Sequence, residues 1–347
     1  MNSRFLRACR REPVDATPIW LMRQAGRYMA EYRALREKHS LLELCKTPEL
    51  AAKVTKQPLS LGVDAAILFA DILLPLEPMG APFSFEKGEG PVVHEPIARL
   101  DQIERLRVVD PHESLAFVLS AIRMLKGEIE VPLIGFAGGP FTLASYLIEG
   151  GKSTHYAKTK RLMYAEPAAW HSLMGKLAEV VRRYLRAQVE AGADAVQLFD
   201  SWVGQLSPDD YREYVERHVA HILQDLCAGV LGAPGRVPVI HFGTGTYALL
   251  ERMRDAGGDV LGLDWRTPLA DGWARVGREH AVQGNLDPTV LFAPRAVVER
   301  GAERVLDAAA GRPGHVFNLG HGILPETPVD NVKALVDFVH RRSARAA

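Results

Sequence analysis

The sequence predicts a mixed α/β protein, a single and somewhat distorted (β/α)8 barrel of the TIM type, with an active-site cleft at the C-terminal ends of its strands. Three observations carry this reading. Eight short apolar runs recur along 347 residues, separated by turn signals and mostly by stretches of helical period. The runs are apolar at successive positions, which marks strands covered on both faces and hence a parallel sheet. No long low-complexity hinge divides the chain, so residues 1–347 read as one domain, although length alone would allow about two.

The runs fall at Pro18–Met22, Ala65–Ile72, Val131–Phe136, Ala195–Phe199, Val237–Phe242, Val260–Leu263, Ala281–Gly284 and His315–Leu319. Between the third and fourth lies a clear amphipathic helix, Pro167–Ala191, with Trp170, Leu173, Leu177, Val180, Val181, Tyr184 and Val189 on one stripe. Pro167 suits its first turn and Gly192 its C-terminal cap. Glycine- and proline-rich stretches at 80–91, 229–235 and 311–314 are too short for domain linkers, and residues 83–96 read as an insertion or hairpin without an evident role.

Composition excludes several functional classes. Hydrophobic residues make up 47% and charged residues 24% of the chain, which is globular rather than disordered. The 42 basic and 42 acidic side chains cancel, so no global field favours nucleic acid or an anionic membrane. Apolar runs fall short of the ~18 residues of a membrane span, and no signal core opens the chain, so a cytoplasmic protein is expected. Cys9, Cys45 and Cys227 are odd in number and far apart, which favours neither disulfides nor a cysteine zinc site.

The positive charge is unevenly placed. Arginine outnumbers lysine 31 to 11, and the first 36 residues hold eight arginines and no lysine against Glu12, Asp15 and Glu31. That segment is a candidate for gripping anions, since guanidinium forks bind carboxylates in bidentate fashion. GC-rich codon usage is the plainer explanation of the arginine excess.

In such a barrel, polar residues that close an apolar strand are the ones to examine. Arg23 and Arg27 follow the first run; were the chain to enter a helix near Gly26, they would share one face with Arg33 and Arg36 close behind. A solvated helix face paired with Glu31 and Glu37 is the alternative. Asp71 interrupts an apolar run, and a buried carboxylate needs a partner. It either caps backbone N–H groups of the next turn or faces a site where positive charge develops. Gly138 and Gly139 open a helix carrying Tyr146 and could admit an anion to backbone amides. Tyr146 is either a core residue or a ligand contact. His321, between Gly320 and Gly322 in a loop, is better suited to ligand contact than to packing.

One motif points elsewhere. Gly243-Thr-Gly245-Thr-Tyr-Ala248 follows a strand, and Asp264 closes the next, which matches a dinucleotide-binding fingerprint and an NAD-dependent oxidoreductase. Four strand–helix units precede it, however, whereas that fingerprint usually opens its domain.

Two long stretches, Pro18-Ile-Trp-Leu-Met-Arg-Gln-Ala-Gly-Arg27 and Gly135-Phe-Ala-Gly-Gly-Pro-Phe-Thr-Leu-Ala-Ser-Tyr-Leu-Ile-Glu-Gly150, resemble the signatures of the uroporphyrinogen decarboxylase family. The resemblance extends through 69–73, 197–201 and 318–322. It implies a distorted eight-fold barrel that removes carbon dioxide from the four acetates of uroporphyrinogen III, giving coproporphyrinogen III in haem biosynthesis, with neither metal nor organic cofactor. It further implies a homodimer. By the same resemblance Asp71 is the central catalytic carboxylate, Arg23 a carboxylate ligand and candidate proton donor, and Tyr146 a third catalytic residue. Gln24, Ala25, Gly26, Arg27, Phe199, Ser201 and His321 complete the substrate-binding set. Two further classes compete: zinc-dependent methyltransferases on the same barrel, which metal analysis separates, and a non-catalytic tetrapyrrole carrier, which product analysis separates.

Overall fold

The computed structural model describes residues 3–86, 90–228 and 235–345. Residues 229–234, most of one glycine- and proline-rich stretch, lie outside the described residues, as do 87–89 within the expected insertion. Seven strands form one parallel sheet: β1 (Ala66–Ile67), β4 (Leu133–Gly138), β5 (Ala195–Asp200), β6 (Val239–Gly243), β7 (Val260–Gly262), β8 (Ala281–Gln283) and β9 (His315–Val316), in that spatial order. Each is flanked by helices, and β4, β6, β7 and β8 are buried throughout, as continuous apolar runs require. The helix Pro167–Ala191 has the expected bounds, and Gly192 closes it at φ 119°. The separate antiparallel pair β2 (Phe83–Glu86) and β3 (Gly90–Val93) shows that the 83–96 segment is a hairpin.

The eighth run departs from expectation. Pro18–Met22 is not a ladder strand; it touches the last one through a single parallel bridge between Ile19 and Phe317. Phe317 donates its N–H to Pro18 O at 2.8 Å. On the other side Asp64 takes over the pairing: its N–H donates to Ile19 O at 2.8 Å and its carboxylate accepts from Ile19 N–H at 2.7 Å. The Asp64 carboxylate thus replaces one backbone partner where the run sits between β9 and β1, which is the distortion of the barrel. The second and last runs are likewise strands for only two residues each, and Asp71 lies beyond β1 in a turn.

The lower barrel interior is polar and paired. Trp20 Nε1–H donates to Gln283 Oε1 at 3.0 Å, and Gln283 Nε2 donates to Gln197 Oε1 at 3.1 Å. The strands β5 and β8 are not neighbours, so these contacts cross the barrel. Side chains alternate along a strand, so Phe199, two residues beyond Gln197, also points inward and one step nearer the C-terminal end.

Candidate active site

The segment after Met22 is pinned before it carries any chemistry. Asn318 Oδ1 accepts Met22 N–H at 3.0 Å, and Ile323 N–H donates to Met22 O at 2.8 Å. Gln24 is fully buried: its Oε1 accepts Leu21 N–H at 3.0 Å and its Nε2 donates to Ala65 O at 2.9 Å. This frame holds Arg23 in the left-handed region at φ 61°, a conformation that costs a residue with a Cβ roughly 1–2 kcal/mol. The guanidinium is thereby thrown outward over Gly322, where a Cβ would come within 2.5 Å of Arg23 Cδ. Gln24 therefore shapes the turn from within, and its side-chain amide is engaged by the protein itself.

Arg23 and Arg27 do not share a helix. The helix begins only at Ala30, and residues 21–29 form turns. Ala25 and Gly26 are half-buried between the two arginines, and both arginines are exposed. Arg27 lies toward the outer side of this turn, close enough to Tyr32 to act on its hydroxyl, and its carbonyl accepts from Arg33. Arg33 and Arg36 donate to backbone carbonyls, rather than to Glu31 and Glu37 as the helix-face alternative supposed. Arg4, Arg7 and Arg10 are paired with Asp15, Asp64 and Glu12. Among the described residues, Arg23 and Arg27 are the arginines of that segment with no ion pair and no side-chain hydrogen bond.

Asp71 fulfils the capping reading offered for it. One oxygen, Oδ1, accepts Leu73 N–H at 2.9 Å and so caps the following turn. The residue nevertheless keeps part of its surface accessible. Burial raises its carboxyl above the usual range, while the Leu73 N–H and the Arg23 charge pull it down.

Tyr146 projects from the helix Pro140–Glu149, and its ring packs against Trp202 at 4.1 Å between centroids. Burial pushes its hydroxyl up, the Asp71 charge adds to this, and Arg23 opposes it. Tyr146 is therefore a neutral phenol that can donate a hydrogen bond. His321 is lowered by burial and then by Arg23, which leaves it neutral at pH 7, and its ring meets Trp265 edge-on at 5.9 Å. Phe199 is half-buried, with Phe136 and Phe242 edge-on at 5.5 and 5.9 Å, so a hydrophobic floor lies inside the barrel. Ser201 follows β5 directly, and its carbonyl is held by the Thr244 hydroxyl.

The Arg23 charge acts on Asp71, Tyr146 and His321 alike. An open cleft of ≈ 640 Å³ is lined by Arg23 and Tyr146 together with Lys152, Ser153, Thr154, Tyr156 and Trp202. Those last five were not singled out in the sequence. They occupy loops without period, and the only local signal was Gly150-Gly151 followed by polar residues.

Two expectations are corrected. Gly138 and Gly139 do not open a backbone cradle for an anion: a Cβ on Gly139 would lie 2.6 Å from Asp200 Cγ, and one on Gly138 would lie 2.9 Å from Leu143. They are glycines to make room for packing. Gly243-Thr-Gly245 is not a dinucleotide loop either. The buried Asp264 carboxylate accepts the Gly245 N–H, together with Arg266 N–H at 3.0 Å, so the groups that would face a pyrophosphate and a ribose are bound to each other.

Burial raises the thiols of Cys9 and Cys45 well above their ordinary value, and that of Cys227 to about 11, so none is poised as a thiolate. Among the described residues, no three His, Cys, Asp or Glu side chains gather as a metal-holding group. Among the described residues, no helix is long and apolar enough to cross a membrane.

A parallel barrel with a cleft on the C-terminal side of its strands, lined by a guanidinium and a phenol, and with a carboxylate and a neutral imidazole under the influence of that guanidinium, defines an α/β-barrel enzyme. The family model described as Uroporphyrinogen decarboxylase (URO-D) matches residues 1–342. The chain is 68% identical to a protein named uroporphyrinogen decarboxylase from Sorangium cellulosum, over 98% of this chain and 96% of the relative. It is 54% identical to one of the same name from Thermus thermophilus, over 99% of each. Among solved structures, a methyltransferase from Methanosarcina mazei superposes with TM-score 0.79 at 24% identity, covering 98% of each chain, a likeness of fold alone. The chain belongs to the uroporphyrinogen decarboxylase family.

Proposed function

We propose that the protein removes carbon dioxide from all four acetate side chains of uroporphyrinogen III to give coproporphyrinogen III, in tetrapyrrole and haem biosynthesis, without metal or organic cofactor. The observation that carries this reading is a cleft lined by Arg23 and Tyr146, with the Arg23 charge acting on Asp71, Tyr146 and His321, in a chain of this family.

An acetate on a pyrrole leaves as carbon dioxide once the ring can accept its electrons. Protonation of the ring carbon beside the acetate-bearing one makes a cationic ring, and the C–CO2 bond breaks into that sink. A second proton then reaches the exocyclic methylene, and the ring carbon releases the first. Net, each acetate takes up one proton and becomes a methyl.

Asp71 is the charge set against the cationic ring and the acceptor for pyrrole N–H groups. Its raised pKa falls when those donors arrive, so the ionised form is favoured by the ligand it serves. Arg23 binds an acetate undergoing reaction, and Arg27 holds a propionate farther out. A free arginine pKa above ~12 makes Arg23 a poor direct acid, so a water held by Arg23 is the better proton source. Tyr146 donates a hydrogen bond as a neutral phenol; Phe199 forms the floor, Ser201 and His321 the polar far wall. Gln24, Ala25 and Gly26 act by shaping the turn. One barrel domain over 1–347, in a cytoplasmic homodimer, completes the proposal.

The test is anaerobic incubation of the purified protein with uroporphyrinogen III, followed by oxidation and a count of carboxylates per macrocycle. Four carboxylates lost per macrocycle supports the decarboxylase. An unchanged eight-carboxylate product supports a carrier and sinks the proposal.

A further inference from the structure

We propose that the β2–β3 hairpin is a buttress for the cleft loop 150–156, and that this loop presents Lys152 to a carboxylate of the substrate. The inference rests on the decarboxylase reading and adds a substrate contact to it.

The hairpin and the loop are joined at several points. The helix bearing Tyr146 ends at Gly150, φ 86°, whose carbonyl accepts Val93 N–H at 2.8 Å. One turn back, Leu147 O accepts Ile97 N–H at 2.8 Å. The backbones approach so closely that a Cβ on Gly150 would lie 2.8 Å from Pro96 Cγ, and one on Gly151 3.2 Å from Pro91 O. Gly90, itself at φ 93°, leaves room for the exposed Lys152 side chain: a Cβ there would meet Lys152 Cε at 3.1 Å and Nζ at 3.5 Å. The far end of the loop is tied as well. Tyr156 N–H donates to Ser153 Oγ at 2.9 Å, and Thr159 donates from both N–H and hydroxyl to Glu149 Oε1.

A loop fixed at both ends presents its side chains with little ordering cost on binding. Lys152, Ser153 and Thr154 line the cleft with Arg23. An ammonium beside two hydroxyls is chemistry for a carboxylate. Uroporphyrinogen carries eight carboxylates, more than Arg23 and Arg27 can hold, and acetate and propionate present the same group to Lys152.

The test is anaerobic steady-state kinetics with uroporphyrinogen III. Lys152→Met is expected to raise KM about ten-fold at low salt with kcat changed by less than about two-fold, as loss of a rim charge does. Lys152→Arg should restore most of the affinity, and the KM of Lys152→Met should depend less on ionic strength than that of the wild type. Gly90→Val should reproduce the shift and add nothing to Lys152→Met. Repeating the comparison with intermediates lacking one to three acetates separates the two sources: a constant effect marks a propionate, a fading one an acetate. An unchanged KM in Lys152→Met overturns the carboxylate contact, and additive effects of the Gly90 and Lys152 changes overturn the buttress. Equilibrium binding of uroporphyrinogen III to wild type and Lys152→Met keeps the inference separate from the decarboxylase reading, because weaker binding by the variant supports the contact even if no carbon dioxide is released.

Discussion

Two layers of side chains fill the barrel, and they treat hydrogen bonding in opposite ways. In the lower layer Trp20, Gln283 and Gln197 pass hydrogen bonds across the interior, buried and engaged with one another. In the upper layer the Arg23 charge acts on Asp71, Tyr146 and His321, and all four remain accessible. The same chain segments serve both: Trp20 lies three residues before Arg23, and Gln197 two before Phe199. Buried polar groups that are paired fix a structure, and those left open near solvent are available for chemistry. The lower layer holds the shape, and the upper layer holds the field.

Changes in either layer should separate these roles. The largest effect is expected from Asp71→Asn, which removes ~3–4 kcal/mol of stabilisation of the cationic ring, by analogy with a single oxyanion donor, and slows turnover several hundred-fold. Its melting temperature should stay unchanged or rise. A carboxyl whose folded pKa lies above its unfolded one contributes stability only at low pH, and that contribution is lost as pH rises through the folded value, so at neutral pH the ionised Asp71 is a cost. For the same reason kcat/KM should fall as pH drops through the raised Asp71 pKa, and kcat should hold to lower pH because bound pyrrole N–H groups favour the carboxylate.

Gln283→Leu tests the lower layer. It leaves Trp20 Nε1–H and a Gln197 oxygen unpaired in a buried place, at ~2–3 kcal/mol in a denaturant titration, with a far smaller change in kcat. Equal loss of stability and turnover would erase the distinction between layers. Arg27→Lys keeps the charge and discards the fork, and is expected to raise KM several-fold, on the order of 1 kcal/mol, with kcat held. Smallest is Arg212→Ala, whose exposed pairing with Asp209 should contribute less than ~1 kcal/mol and nothing to KM.

Periodicity made the helices and the parallel architecture legible: the stripe on Pro167–Ala191 is local information, and the structure keeps those bounds. The first run was misread because its pairing is not local. Asp64, 45 residues from Ile19, supplies bonds that a strand neighbour normally would. Among site residues, the ends of apolar runs marked Arg23, Asp71 and Ser201, since the sheet delivers such residues to one rim. What each then does depends on its packing. Gly139 is small to admit Asp200, itself buried with its carboxyl pushed up to about 7, and nothing in Gly-Gly-Pro distinguishes that from a cradle. The arginine-rich start is the clearest case. Composition marked the whole segment as a grip for anions, whereas neighbouring carboxylates and carbonyls engage most of it and leave Arg23 and Arg27.

The central claim is that Asp71 acts on the ring in the chemical step. It is tested most directly by mixing an excess of Asp71→Asn enzyme with uroporphyrinogen III anaerobically, quenching over time, and counting carboxylates alongside an equilibrium binding measurement. The expected result is wild-type binding with a first decarboxylation slowed several hundred-fold, on the order of 3–4 kcal/mol. A first decarboxylation at near the wild-type rate would contradict it.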